Sequence, residues 1–588
     1  MSSLSWVVFV AAPKILGSAM AFVLLITSLN LVRRLFSDSS LPSTLPWAGV
    51  GEQNSRMGRA RANLTSFFRL KELLNEGYVK YSKNDQTYVL PYFINGPQVI
   101  LPPSQIPWLL AQPDDVLSQE HVNRQFLQSE YAFFRANRVP DPVHLDVIQH
   151  QLTKRIGGFA DDIVDEVRAV LEDCWGEDTE AWREVRAYDT LLLVITRMSI
   201  RVLAGTPLCR DEEFVSVCSN FIRKVALAAA AISLLPDFLK PVFGPVFVLY
   251  DYILYRRCRS FLMPIIRERL DRMKSADAEK SPWQDATQHN DFIQWSIDHA
   301  LARPVANPAE LEPRVIAARF AVIAFAAIQS SVITLTNAVF DIAASPGCAA
   351  SLATMRGEVV RETGEAQTTA AIAAVHNNND DDDDDDDEDD NEPAGSSSSL
   401  SSSSDPSAAA AGCWSRAALA RMTHVDSALR ESLRVNGFIE RGVMKMVVAP
   451  GGLALPDGAR VPRGVKVGVS GYSIHHDEGN YADAMRFDAF RFARGQQKGH
   501  QDGEGEREKR PPQSLVSTSD KFMGFSHGAH ACPGRFFATN QLKIALGHIA
   551  LLYDIEPIPE RPVNQWFFGH IAPPLTETLR VRRRKTSR

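Results

Sequence analysis

The sequence predicts a mainly α protein with a smaller β-rich part, the α+β class. Apolar residues recur at helical spacing over Leu145–Glu172 and over residues 186–204 and 254–273. Residues 313–343 are apolar on all sides, the pattern of a helix buried through a core. Residues 79–102 and 446–470 instead alternate and are broken by turn residues, which reads as small hairpins.

Composition narrows the class. The chain has 588 residues, 45% of them hydrophobic and 23% charged, which excludes a wholly disordered or fibrous protein. The net charge of −7 comes from one place: Asp380–Asp390 is a run of eleven acids, without which the chain would carry +4. A nearly neutral remainder does not suit nucleic-acid binding. The seven cysteines are scattered and form no C-x-x-C pair, against a disulfide framework or structural zinc site and for a reducing compartment.

Ile15–Val32 runs without a charge and ends at Arg33-Arg34. Eighteen residues span about 27 Å as a helix, enough to cross a bilayer core. Basic residues after the run predict a cytoplasmic catalytic part and a single-pass membrane anchor; a cleaved signal peptide would carry them before it. The expected layout is an anchor over residues 1–35, a Pro-rich hinge over 36–48 and one globular domain over 49–588. Polar insertions at 377–411 and 495–513 cannot offset their own ordering entropy and read as disordered spacers. Residues 225–250 are greasy but interrupted by proline and glycine. They suit core, or a surface that touches the membrane or an apolar substrate. His475-His476-Asp477 lacks a third spaced ligand and reads as loop packing.

Chemistry concentrates in Lys521–Tyr553. Phe525, Gly528, Cys532 and Gly534 fit F-x-x-G-x-x-x-C-x-G, a Gly-rich loop, a cysteine and then a helix from near Arg535. Glycines allow a tight turn and close approach to a flat ligand. A helix N-terminus favours a thiolate. This stretch resembles the haem-binding loop of the cytochrome P450 family, and Cys532-Pro-Gly-Arg-Phe-Phe-Ala538 resembles its fungal members. Glu431-Ser-Leu-Arg434 matches the family's E-x-x-R, about a hundred residues before the cysteine. Met485–Phe492 resembles its P-x-R-F segment, with Ala489 where proline is usual.

The resemblance covers nearly the whole chain after the anchor. It implies a haem-thiolate monooxygenase with the P450-like fold, Cys532 as axial ligand and Phe525 over the macrocycle near the sulfur. Glu431, Arg434 and Arg491 would form a buried triad that fixes the loop. His530 would meet a haem propionate, since no W-x-x-x-R stands near residues 120–155. On the helix expected to cross above the haem, Ala326-Ala327 leave room for oxygen and substrate, and Gln329-Ser330-Ser331 take the place of the acid and threonine that deliver protons. Gln329 cannot ionise, so Ser330 and water are expected to carry protons while Gln329 orients that water; bonding of both to the preceding helical turn is the alternative. The implied partners are NADPH–cytochrome P450 reductase, an apolar small molecule and the endoplasmic-reticulum membrane. Fungal secondary metabolism is the implied setting. A haem-thiolate isomerase, dehydratase or peroxygenase that needs no reductase, and a non-catalytic haem protein, stay open.

Overall fold

The central element is the helix Pro313–Ala343, about 46 Å long. Pro313 at its first position is pre-set for helix entry. A buried ion pair of Glu310 with Arg319 closes its first turns. Ala, Val, Ile and Phe on every side leave it no polar face, so it buries itself among the helices Ala187–Ala204, Leu249–Ala276 and Thr423–Asn436. The helix Arg535–Leu552 packs beside it on the Cys532 side. This arrangement is seen in a computed structural model that describes residues 22, 25–36, 41–51, 54–133, 143–276, 289–303, 307–364, 414–494, 513–567 and 570–585.

The described strands are β1 (Tyr88–Leu90), β2 (Gln98–Leu101), β3 (Leu117–Ser118), β4 (Arg183–Arg186), β5 (Gly442–Val447), β6 (Leu453–Ala454), β7 (Arg460–Val461), β8 (Lys466–Val469), β9 (Tyr553–Ile555), β10 (Gln565–Phe567), β11 (His570–Ala572) and β12 (Thr578–Arg583). The expected hairpin over 79–102 is β1–β2. The 446–470 region departs from expectation. Its local hairpin is only β6–β7, while β8 pairs in parallel with β2 and antiparallel with β5. The two regions thus join in one sheet ordered β1-β2-β8-β5-β3. Parallel pairing between segments hundreds of residues apart leaves no local sequence signal.

The stretch expected as a helix from Leu145 is irregular at first. A π-helical turn over Val147–Leu152 and a 3₁₀ turn over Ile156–Phe159 precede the regular helix Ala160–Trp175. The greasy stretch 225–250 breaks at Leu235-Pro236. The helix Glu212–Leu234 ends there, and the short helix Lys240–Phe247 follows. Among the described residues, the helices Glu212–Leu234 and Pro313–Ala343 are long and apolar enough to cross a membrane, and the second is mostly buried in the protein. Most of the expected anchor, the insertion 377–411 and all of the insertion 495–513 except Gln513 lie outside the described residues. The described part of the anchor is helical over 25–35. Cys218 and Cys258 approach to 3.6 Å between sulfurs without bonding covalently, and the described cysteines are free.

Candidate active site

Cys532 lies just before the helix Arg535–Leu552, which Gly534 caps. Its N–H donates to the Phe525 carbonyl at 2.9 Å, and the Ala531 N–H donates to Gly528 at 3.1 Å, so residues 525–532 form a closed loop. Gly528 takes φ +79°, and a Cβ there would stand 2.5 Å from Leu110 Cδ2. Gly534 differs. No atom lies within 4 Å of its would-be Cβ, so its backbone is open to a flat group. Cys532 is enclosed enough that burial pushes its thiol up, yet it keeps accessible surface. The amides of Gly534 and Arg535 and the Arg535 guanidinium pull the thiol back down without cancelling the burial. The helix start alone does not make the thiolate expected from sequence. Metal coordination would supply the deprotonation.

Accessible surface also appears on the central helix. From Val315 to Ala343, Ala326 is the exposed residue, in a helix otherwise within the core. Phe325 and Ala327 beside it pack on the same hydrophobic cluster as Phe525 of the cysteine loop. Gln329 Oε1 is buried and has no hydrogen-bond partner among the described residues, and neither does Ser331 Oγ. Ser330 Oγ donates to the Ala326 carbonyl at 2.9 Å, bonding to the preceding turn as the alternative reading held. Its lone pairs remain able to accept.

His530 Nε2 stands 2.8 Å from Asp114 Oδ1. Lys445 Nζ donates to the Gln112 carbonyl at 3.1 Å, and burial pushes its pKa down while Asp114 pulls it up. Two basic groups thus gather around one carboxylate near the loop. A propionate would share them. Lys445 was not singled out from sequence, because only the β5 register brings it there.

A buried network supports the loop. Arg434 donates from Nε and Nη2 to Glu431, both at 2.8 Å, and Arg491 Nε donates to Glu431 Oε1 at 2.9 Å. Arg434 Nη1 also donates to the carbonyls of His475 and Ala484, at 2.5 and 2.7 Å. Glu431, Arg434 and Arg491 thus meet in one cluster. His475 extends it: its Nε2 accepts the Met523 N–H at 2.9 Å, at the entry to the cysteine loop. Burial holds the His475 pKa down at about 3, so the ring is a neutral acceptor. Arg430 stacks on Phe522, 3.6 Å from the ring centroid, and donates to the carbonyls of Ser514 and Ser517. His476 bonds the carbonyls of Tyr472 and Val435, and Asp477 accepts from Tyr78 and Lys83. Sequence reasoning missed Arg430 and read His475 only as loop packing, because their partners lie tens of residues away.

The residues present suit a haem: a partly exposed cysteine just before a helix, an open glycine backbone beside it, clustered basic groups and an accessible turn on the central helix. The sequence model described as Cytochrome P450 matches residues 409–576. Cytochrome P450 monooxygenase 151 of Postia placenta is 31% identical over 87% of this chain and 89% of its own length. Cytochrome P450 monooxygenase gloP of Glarea lozoyensis is 28% identical over 97% of this chain and 96% of its own length. Cytochrome P450 monooxygenase polB of Polytolypa hystricis is 29% identical over 92% and 94%. The chain therefore belongs to the cytochrome P450 family, oxygenase enzymes that use haem held by a cysteine thiolate.

Proposed function

We propose that this protein is a membrane-attached monooxygenase that inserts oxygen into an apolar small molecule in fungal secondary metabolism, with electrons from NADPH through a separate reductase. The observation that carries this reading is Cys532, partly exposed in a loop that His475 ties to the Glu431–Arg434–Arg491 cluster. In this reading Cys532 is the haem ligand, and haem when bound supplies the oxygen-activating chemistry. Phe525 limits water at the sulfur, while His530 and Lys445 hold the propionates. Ala326 leaves room for substrate. Ser330 Oγ accepts a hydrogen bond from water and passes protons on rotating away from Ala326, and Gln329 Oε1 orients that water. The polar insertions act as solvated spacers outside this machinery.

Two apolar stripes support membrane attachment. Leu25, Leu29, Val32 and Phe36 are exposed along the N-terminal helix, and Phe238, Val242, Val246, Leu249 and Ile253 along the 238–253 segment. Arg34 donates to the carbonyls of Ser233 and Leu235, at 3.0 and 3.3 Å, so the stripes are neighbours. The residues 1–35 would then anchor the catalytic domain on the cytoplasmic face of the endoplasmic reticulum.

The test is metabolite turnover by the membrane-bound enzyme with and without reductase and NADPH. Product only with both is expected. Product formed without them sinks the reading in favour of a reductase-independent enzyme. Cys532→Ala should abolish the reduced carbon-monoxide difference band together with turnover. Ser330→Ala should lower product formed per NADPH consumed while the band persists; unchanged coupling removes Ser330 from the proton route.

A further inference from the structure

The helices Glu212–Leu234 and Leu249–Ala276 pack together along one seam. Phe214 meets Phe261 with ring centroids 5.5 Å apart, and Glu213 pairs with Arg257. One turn on, Cys218 faces Cys258. Farther along, Lys224 is close enough to act on the buried Asp251. Steps forward on the first helix are thus matched by steps back on the second, so the pair is antiparallel. Phe214, Cys218 and Phe221 recur three and four residues apart, as do Tyr255, Cys258 and Leu262, and all six are buried. Phe214 also approaches Phe320 of the central helix, with centroids 6.2 Å apart, so the seam lies against that helix.

Within the seam the Cys218 and Cys258 sulfurs stand 3.6 Å apart, although the residues are 40 apart in the chain. A disulfide is about 2.05 Å long, so bonding would draw the sulfurs about 1.5 Å closer, a step that side-chain rotation can supply. Other described cysteines have different neighbours. Cys209 Sγ lies 3.6 Å from Glu166 Oε1, Cys348 Sγ lies 3.9 Å from the Ile555 carbonyl, and Cys532 belongs to the loop described above. The Cys258 thiol and burial hold the Cys218 thiol well above its ordinary range, so the pair rests as two thiols. Burial also selects the oxidant: it favours a water-sized peroxide over a bulky disulfide such as oxidised glutathione. In a reducing compartment a disulfide is a transient, redox-sensing feature rather than a permanent staple.

We propose that Cys218 and Cys258 are a modification site, forming a reversible disulfide in response to hydrogen peroxide that clamps these two helices together over the central helix. One sulfur, as thiolate, attacks the O–O bond; it becomes a sulfenic acid, and the departing oxygen leaves as water after taking up a proton. The neighbouring sulfur then displaces the sulfenic oxygen, which leaves as a second water as the S–S bond forms. Two thiols and one peroxide thus give one disulfide and two waters, and the two electrons lost by sulfur are gained by peroxide. A dithiol reductant returns the two electrons and two protons. The bond closes a chain segment that holds the break at Leu235-Pro236 and the short helix Lys240–Phe247, so it constrains two helices that the chain otherwise joins only through that segment.

The test exposes the haem-loaded full-length enzyme to graded hydrogen peroxide, quenches it, alkylates it in denaturant and digests it without reductant. Mass spectrometry should find the Cys218 peptide joined to the Cys258 peptide in most chains, with Cys209 and Cys348 still alkylated. Dithiothreitol added to the native protein should return both residues to thiols, and oxidised glutathione should leave no adduct on either. In the linked form, amide hydrogen exchange across Glu212–Leu234 and Leu249–Ala276 should slow several-fold and recover on reduction. Cys218→Ala and Cys258→Ala should each lose both the link and the slowing; if one fails to load haem, the other and the wild type still carry the test. No joined peptide at any dose that leaves the protein folded, sulfinic acid in place of the link, a glutathione adduct, or a link that dithiothreitol does not open overturns the site. Equal exchange in the linked and open forms, or slowing that persists in both alanine variants, overturns the clamp.

Discussion

At the residue scale, Glu431 is the most constrained side chain near the loop. It is fully buried and accepts from Arg434, Arg491 and the Asp488 amide. Removing one member of a buried pair leaves an uncompensated charge, which costs about 3–5 kcal/mol. Glu431→Gln should therefore lower unfolding stability by about that much and reduce haem retention, read by denaturant titration and pigment content. A loss below about 1 kcal/mol would mean that the cluster does not hold the loop. The Glu431–Arg434 pair was legible because residues three apart share a helix face. Arg491 was legible only through the family pattern. His475 was legible only as loop packing, and its partner was not, since its bond to Met523 spans 48 residues and leaves no local periodicity.

At the element scale, the loop depends on backbone conformation as much as on side chains. Gly528→Ala would put a Cβ on a backbone at φ +79° and against Leu110. The left-handed conformation alone costs an L-residue about 1–2 kcal/mol, and the contact adds to it. The variant should load haem less completely than wild type, measured as pigment per protein; full loading would show that the loop can rearrange. The apolar stripe makes a separate prediction. Changing Val242 and Val246 to Ser together should weaken vesicle association several-fold with the carbon-monoxide band intact. Unchanged association would assign the stripe to some other partner. The long helices were readable because apolar periodicity records burial along one element. The π-helical turn at Val147–Leu152 was not, because its hydrogen-bond shift leaves composition unchanged. The β2–β8 pairing was hidden for a related reason: register is a property of two distant segments, and each alone shows only alternation.

At the scale of the whole molecule, buried histidines tie stability to acidity. His144 is buried beside Arg319 and its pKa is pushed down to about 4, first by burial and then by that charge. His475, under the cysteine loop, is pushed down to about 3, again chiefly by burial. His476 is pushed down to about 4. These rings stay neutral in the folded protein, whereas in the unfolded chain each takes up a proton below about pH 6.5. The unfolded state then binds more protons, so folding stability is unaffected above that pH and falls as the pH drops from about 6.5 towards 4. At pH 5 each such ring lowers stability by about 2 kcal/mol. The rings sit in different places, His144 near the start of the central helix and His475 at the loop entry, so acid should loosen both core and site. We expect the thermal midpoint of the holoenzyme to be level between pH 7 and 8 and to fall steeply between pH 6.5 and 5. Loss of the thiolate-type carbon-monoxide band should accompany that fall, since unfolding breaks the His475–Met523 hydrogen bond and opens the cysteine loop. A midpoint flat down to pH 5 would mean that these rings either titrate near their ordinary value in the folded state or are reached by water.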